Sequence, residues 1–482
     1  MAKGLTNREI AGVLGIAANT VKVHVAAVLS ALDVTNRTEA AVALQQLARD
    51  RDERGAGAIP GFGARPAIAV LPFDTFTSDP EETLFADGLV DDLTTSLAGW
   101  RWFPVIARNT SFALRGKPIV LPEASREFGA RYLVEGSARR SGERVRINVQ
   151  LIDGMSGQHV FAEKYDRRLG DVLAVQDEIV SAIVGALAPA LLRIEGLRAL
   201  RKPPETLDTW ERFQRGMALL HEQSPASIAS ALEHFERAIA AEPSFAPAHA
   251  GRAMAQYGLG LFELGATQFG PMSEAERAAA HARAQQRFGE SVASGRRAVE
   301  LDPDDASGHL GLGAGLAMIG EVTSALGSME RAVELNPSSA VGCFALGNLL
   351  GSTDRWEESV AFYERAIRLS PRDPMLHAFE GALAGSHLRR GRYEEALRHA
   401  QKSVGVQPAI GLSFRPLVPA ALAFLGRRAE ARREVEALRA LRPDWNLELA
   451  RIMGVPEVVD RLVEGLRRAG WDLRDRDPAP PD

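Results

Sequence analysis

Apolar positions along the chain follow three successive rhythms. From Thr6 to Leu47 they recur at helical spacing: Ile10, Val13 and Leu14, then Val21, Val25, Val28, Leu29 and Leu32, then Ala41, Leu44 and Leu47. Between residues 67 and 195 alternation takes over. Val145, Ile147, Val149 and Leu151 alternate with Arg146, Asn148 and Gln150, the pattern of a strand with one wet face. From residue 205 onward helical spacing returns and repeats at a fixed period.

The first stretch predicts short helices. Thr6-Asn7-Arg8-Glu9 forms a capping box, and Gly15 closes the helix that it opens. A second helix runs from about Ala18 to Leu32, and a third begins at Asn36 with Glu39 three residues later. Two short helices around a glycine turn are the geometry that sets the second into a DNA major groove. Asn19, Thr20, Lys22, Val23, His24 and Ala26 lie off the apolar face of that helix and are the candidates for touching DNA. Residues 50–66 are polar, then Gly/Pro-rich, and read as a linker.

The second stretch predicts an α/β module with a mixed sheet, in the order β-α-β-α-β-β-β-α. The strands are Ala67–Phe73, Phe103–Ala107, Tyr132–Ala138, Val145–Asp153 and His159–Tyr165. The helices are Leu84–Leu97, Glu123–Phe128 ending at Gly129, and Val172–Leu192. Ser141-Gly142 and Ser156-Gly157 read as hairpin turns.

In the third stretch Pro303, Pro337 and Pro371 are 34 residues apart, and Pro408 and Pro443 follow at 37 and 35. Ala238, Ala298, Ala332 and Ala366 each stand five residues before a proline. Small residues there let paired helices touch, and each proline ends the second helix. A 34-residue period of helix pairs is the signature of tetratricopeptide repeats (TPRs). Six repeats are expected over residues 205–443, with an insertion near 265–290, a capping helix within 444–472 and a tail at 473–482. The fold class expected is therefore multidomain: all-α helix-turn-helix, then α/β with a mixed sheet, then an all-α TPR solenoid.

Two further resemblances rest on quoted residues. GLTNREIAGVLGIAANTVKVHVAAVLSAL and the following TNRTEAAVAL resemble the LuxR/NarL-type helix-turn-helix family over residues 1–49. The resemblance implies that Lys22 and Val23 face base edges, that Thr20 sits by the phosphates, and that helix 36–47 offers a homodimer surface; Arg37 joins the DNA-binding set. Family members carry a further helix before the position of Gly4, so an upstream start or a decayed remnant is expected. Ala17 and Ala26 replace a capping Ser/Thr and a DNA-contacting Lys usual in the family, and the lost cap costs about 1 kcal/mol. Residues 67–195 resemble the TolB amino-terminal-like module through IAVLPF, FADGLVDDL, WFPVIARNTSF, GARYLVEGSARRSGERVRINVQLID and AEKYDRRLGDVLAVQDEI. That resemblance implies architecture and no chemistry.

By TPR positions, the groove of two adjacent repeats would show Leu310, Ala314, Ala317 and Met318, then Phe344, Asn348, Gly351 and Ser352. This small, largely neutral surface lacks the Lys/Arg pair of carboxylate-clamping repeats and fits an apolar or helical peptide. The alternative is that the array stabilises itself or packs on the α/β module.

Charge and composition narrow the remaining classes. The net charge of −5 over 482 residues excludes a uniformly basic nucleic-acid binder. Residues 1–50 carry Lys3, Arg8, Lys22, Arg37 and Arg49 against Glu9, Asp33, Glu39 and Asp50, a thin surplus for phosphate contacts. The single cysteine, Cys343, reads as a small buried apolar residue and fits a reducing compartment. No run of about 18 apolar residues stands out, the longest candidate being interrupted by Pro189, so no membrane span and a cytoplasmic location are expected. No phosphate loop, nucleophile elbow or zinc-protease pair is present. Asp87, Asp91 and Asp92 read as acids at a helix start, His159 as structural, and Arg108 and Asn109 as the edge of a small ligand pocket at a strand end. The expectation is no catalytic centre, no cofactor and no metal. The function expected is a DNA-binding regulator that senses a protein or peptide through its repeats; the alternative is a scaffold whose DNA-binding head has decayed.

Overall fold

A computed structural model describes residues 65–77, 79–116, 120–168, 172–266, 273–353, 355–371, 373, 375–406, 414–441 and 456–471. The expected helix-turn-helix and residues 50–64 of the linker lie outside the described residues, as does the tail. The described chain contains a mixed β-sheet and a TPR-like helical solenoid.

Its elements run β1 (Ala67–Val70), β2 (Asp74–Thr75), α1 (Pro80–Ala98), α2 (Arg108–Phe112), α3 (Leu121–Phe128), β3 (Ala130–Ser141), β4 (Arg144–Asp153), β5 (Gln158–Arg168) and α4 (Val172–Arg201). Strand order is β1-β3-β4-β5, with β2 parallel to β3 in the register Asp74 to Ser137 and Thr75 to Ala138. The expected alternation holds on β4, where Val145, Ile147, Val149 and Leu151 are all buried. Gly142 opens the β3–β4 turn at φ +59 and Gly157 stands in the β4–β5 turn at φ +69, a region glycine enters without steric cost.

The chain divides into two compact units. The smaller holds 65–69, Phe103–Leu133 and Asp153–Gln158. In it Phe103 and Tyr132 meet edge to face, and the Arg131 guanidinium pairs with the buried Asp153 carboxylate at 3.3 Å. Gly129 ends α3 in the left-handed conformation, as its sequence position predicts. The strand expected at Phe103–Ala107 is reduced to one parallel bridge between Ile68 and Val105. Pro104 offers no N–H to extend the ladder. Arg108 and Asn109 begin the short helix α2, with the Arg108 guanidinium 4.2 Å over the Phe112 ring.

The larger unit holds Val70–Trp102, Val134–Ile152 and the chain from His159 onward. Asp79 caps α1 by accepting from the Glu81 N–H at 3.0 Å, so Asp87, Asp91 and Asp92 lie in mid-helix and not at its start. The Asp92 carboxylate accepts from Gln176 of α4 at 2.6 Å. Helix α4 runs 30 residues through Pro189, well past the expected end at Leu192, because Leu187, Ala190, Leu191 and Ala199 remain buried on both sides of the proline. By length and composition α4 could cross a membrane, contrary to the expectation of no such segment; in the fold 56% of its apolar window is buried.

Among the described residues six helix pairs follow: α5 (Thr209–Leu220) with α6 (Pro225–Ala241), α7 (Ala246–Ala266) with α8 (Glu274–Leu301), and α9 (Ala306–Met318) with α10 (Val322–Leu335). Then come α11 (Ala340–Gly351) with α12 (Trp356–Leu369), α13 (Leu376–Arg389) with α14 (Tyr393–Val406), and α15 (Leu417–Phe424) with α16 (Arg428–Leu441). A terminal helix, α17 (Pro456–Arg468), closes the array, and Leu462 and Leu466 cover the core of the last pair. The extra residues of the second pair lengthen α7 to 21 and α8 to 28 residues.

One device recurs through the array. A glycine in the first helix faces a bulky residue in the second: a Cβ at Gly216 would lie 2.6 Å from the Phe235 ring, at Gly313 2.7 Å from Met329, and at Gly347 2.8 Å from Tyr363. Removing the first side chain makes room for the second, so the helices of a pair approach closely. Ala238, Ala298, Ala332 and Ala366 are buried in the second helices of their pairs.

Candidate functional site

The first helices of the third and fourth pairs carry the groove positions. Ala314 is only 6% exposed, buried among Val292, Leu316 and Met329, so it offers no surface. Leu310, Met318 and Phe344 are half-buried, while Asn348 and Ser352 are exposed. Met318 packs towards Phe288. Phe344 tilts against Phe379 at 4.9 Å and Tyr363 at 6.0 Å, joining neighbouring pairs through one aromatic row. The Tyr363 hydroxyl donates to Asn348 Oδ1 at 3.0 Å. That bond holds the amide oxygen and leaves the NH2 group of an exposed side chain available to a partner. Cys343 is buried beneath, and burial pushes its thiol pKa up, as suits a core residue.

A different surface of the array is occupied by the chain's own helices. A Cβ at Gly99, after α1, would lie 3.7 Å from the Leu335 carbonyl; one at Gly185 of α4 would lie 2.7 Å from that of Leu369. Leu335 and Leu369 are 34 residues apart and end the second helices of successive pairs. Arg101 pairs with Asp302 at 2.9 Å in the preceding inter-repeat turn, and Trp102 meets Phe213 edge to face at 5.1 Å. α1 and α4 thus sit on the inter-repeat turns, while Asn348 and Ser352 stay exposed.

The fifth pair holds a buried polar cluster that motif spacing does not reveal. Glu380, only 3% exposed, contacts His399 Nδ1 at 2.5 Å and Lys402 Nζ at 3.6 Å. The His399 ring stacks on His387 at 5.4 Å. Burial, and then the neighbouring His399, push His387 down to about 4. The signal in the sequence was a lone acid, Glu380, on the apolar face Ala378, Phe379, Leu383 and Ala384 of α13. Among the described residues no cluster of three or more His, Cys, Asp or Glu is placed to hold a metal ion. His159 is exposed on β5, where its charge works against the upward shift that burial gives Glu135.

Asn19, Thr20, Lys22, Val23, His24 and Arg37 lie outside the described residues, and their assignment rests on sequence. Residues 1–44 match the family model for bacterial regulatory proteins of the luxR family, and residues 343–375 match that of the tetratricopeptide repeat. The chain carries a LuxR-type helix-turn-helix domain and a TPR array. Three solved structures align with parts of it. The MamA protein is 20% identical, covering 33% of this chain and 86% of its own at a TM-score of 0.30. A thermophilic TPR protein of Thermus thermophilus is 21% identical, covering 43% and 98% at 0.31. YrrB, described as a TPR protein with an unusual peptide-binding site, is 16% identical, covering 44% and 93% at 0.30.

A curated relative changes one expectation. The protein named "Putative adenylate cyclase 3" from Rhizobium meliloti (strain 1021) is 41% identical over 191 residues, which are 40% of this chain and 32% of the relative. The chain thus matches about a third of that protein's length. The expectation that this protein is not an enzyme is overturned by this likeness. It rested on missing motifs, and a short-motif search does not detect a catalytic arrangement assembled from residues distant in sequence.

Proposed function

We propose that the protein is a transcriptional regulator whose LuxR-type head binds duplex DNA while the TPR array takes up a peptide or protein segment. The observation that carries this reading is the joining, in one chain, of a segment matching the luxR family at residues 1–44 to a repeat array with exposed polar positions at Asn348 and Ser352. In this reading Asn19, Thr20, Lys22, Val23, His24 and Arg37 meet the duplex, and residues 36–47 pair two copies. Leu310, Met318, Phe344, Asn348 and Ser352 line the peptide surface, whose largely uncharged character favours an apolar or helical segment. We read residues 67–195 as a TolB amino-terminal-like module between the two, and place the protein in the cytoplasm. The test is retardation of a duplex library by the full chain at low salt, followed by titration with salt. A regulator gives selected sequences and a steep salt dependence; no retardation at any salt concentration refutes it.

The cyclase-named relative favours a second reading, in which this chain takes part in cyclic nucleotide production or its control. Incubation of the full chain with ATP and a divalent cation, followed by chromatographic detection of 3′,5′-cyclic AMP, tests the catalytic form. Turnover abolished by heat denaturation supports it, and its absence confines the likeness to the non-catalytic part of the relative.

A further inference from the structure

The contacts of α1 and α4 with the array fall on equivalent points of successive repeats. Asp302, Leu335, Ser338 and Leu369 all lie at or beside the turn that follows a second helix. Gly185 of α4 faces two turns at once: its Cβ would lie 2.7 Å from the Leu369 carbonyl and 3.4 Å from that of Ser338. Gly99 faces the Leu335 carbonyl, at the same turn as Ser338, and Arg101 reaches Asp302 one repeat earlier. Arg101 stands at φ +59, a conformation costly to a residue with a side chain and held here by its surroundings. On either side of it Trp100 and Trp102 are buried and stacked at 5.7 Å, and Trp102 continues into the Phe213 cluster of the first pair.

We propose that α1, its Gly99–Trp102 extension and α4 form a brace that sets the spacing of the inter-repeat turns in the second to fourth pairs. The twist of a repeat array is the sum of small rotations at each junction. A rigid body fastened to turns one repeat apart fixes those rotations. Occupation of the repeats and the position of α1 and α4 are then coupled: a partner that alters the twist loosens the brace, and loosening the brace alters the twist. This coupling is independent of what the head or the array binds.

Gly185→Leu tests it with hydrogen exchange on the full chain. In an unattached helix, replacing glycine by leucine slows exchange by raising helix propensity. In the brace it pushes α4 off the Leu369 carbonyl. The expected result is exchange at least tenfold faster in α4 and, together with it, in the turns at 302–305 and 335–339 and the starts of α9 and α11. Faster exchange confined to α4, or no acceleration anywhere, overturns the proposal. Should Gly185→Leu fail to fold, Arg101→Gly serves in its place. It removes the Asp302 ion pair and the backbone strain together, and is expected to speed exchange at 302–308 at least threefold; unchanged exchange there overturns the proposal.

Discussion

Gly347 and Tyr363 form one complementary surface: the ring occupies the space that a side chain at 347 would fill, with a Cβ there only 2.8 Å from Cε1. The same pairing joins Gly313 to Met329 and Gly216 to Phe235. It explains why glycine and a bulky residue recur together at the TPR period, although glycine in a helix interior costs about 0.5–1 kcal/mol relative to alanine.

Gly347→Leu forces the Tyr363 ring aside and is expected to lower unfolding stability by about 1–3 kcal/mol, the range of overpacked cores. Gly327, inside α10, has nothing within 4 Å of its would-be Cβ. Gly327→Ala is therefore expected to raise stability by about 0.5–1 kcal/mol. Urea midpoints of the two variants check both signs; destabilisation by the alanine refutes the steric account.

Acid should weaken the fold through two histidines. Burial comes first in lowering both: His387 to about 4, with His399, Arg392 and Arg390 adding to it, and His234 to about 4, with Arg215, Arg237 and Arg212 adding to it. Glu395 and Glu233 oppose the shifts. The folded pKa lies below the ordinary 6.5, so the unfolded chain takes up these protons first. Their contribution is intact above pH 6.5 and is lost as pH falls toward 4. Each histidine adds at most about 1.4 kcal/mol per pH unit to the slope. His387→Phe, which retains a ring against His399, is expected to flatten that slope; an unaltered pH profile of the unfolding midpoint counts against the assignment.

Tyr363→Phe removes the hydrogen bond that holds Asn348 while leaving the ring against Gly347. Stability is expected to fall by no more than about 1 kcal/mol, while capture of a peptide bound at the groove weakens roughly three- to tenfold, corresponding to about 0.7–1.4 kcal/mol. Calorimetric titration of wild type and variant compares the two; equal affinity removes Asn348 from the recognition surface.

For the head, Lys22→Ala is expected to cost about 1–3 kcal/mol of discrimination between selected and unselected duplexes, the value of one base-edge contact. Competition binding at fixed salt measures it. A uniform loss across all duplexes reassigns Lys22 to the phosphate backbone.

The repeats were legible in the chain because each helix pair meets the same local demands: a small residue where helices touch, a bulky one opposite a glycine, and a proline at the end. Such demands recur every 34 residues and need no knowledge of distant partners. The hairpins of β3, β4 and β5 were legible for a similar reason, since alternation and turn glycines are local. Phe103–Ala107 failed as a strand, and α4 outran its expected end, because both depend on burial against residues far along the chain. Only tertiary structure could place α1 and α4 on the inter-repeat turns, or bring Glu380 of one helix to His399 and Lys402 of the next. Periodicity reports what a helix requires of its own neighbours in sequence. Which carbonyl meets Gly185, and which base meets a buried acid, is decided by packing across the fold, where position along the chain carries no information.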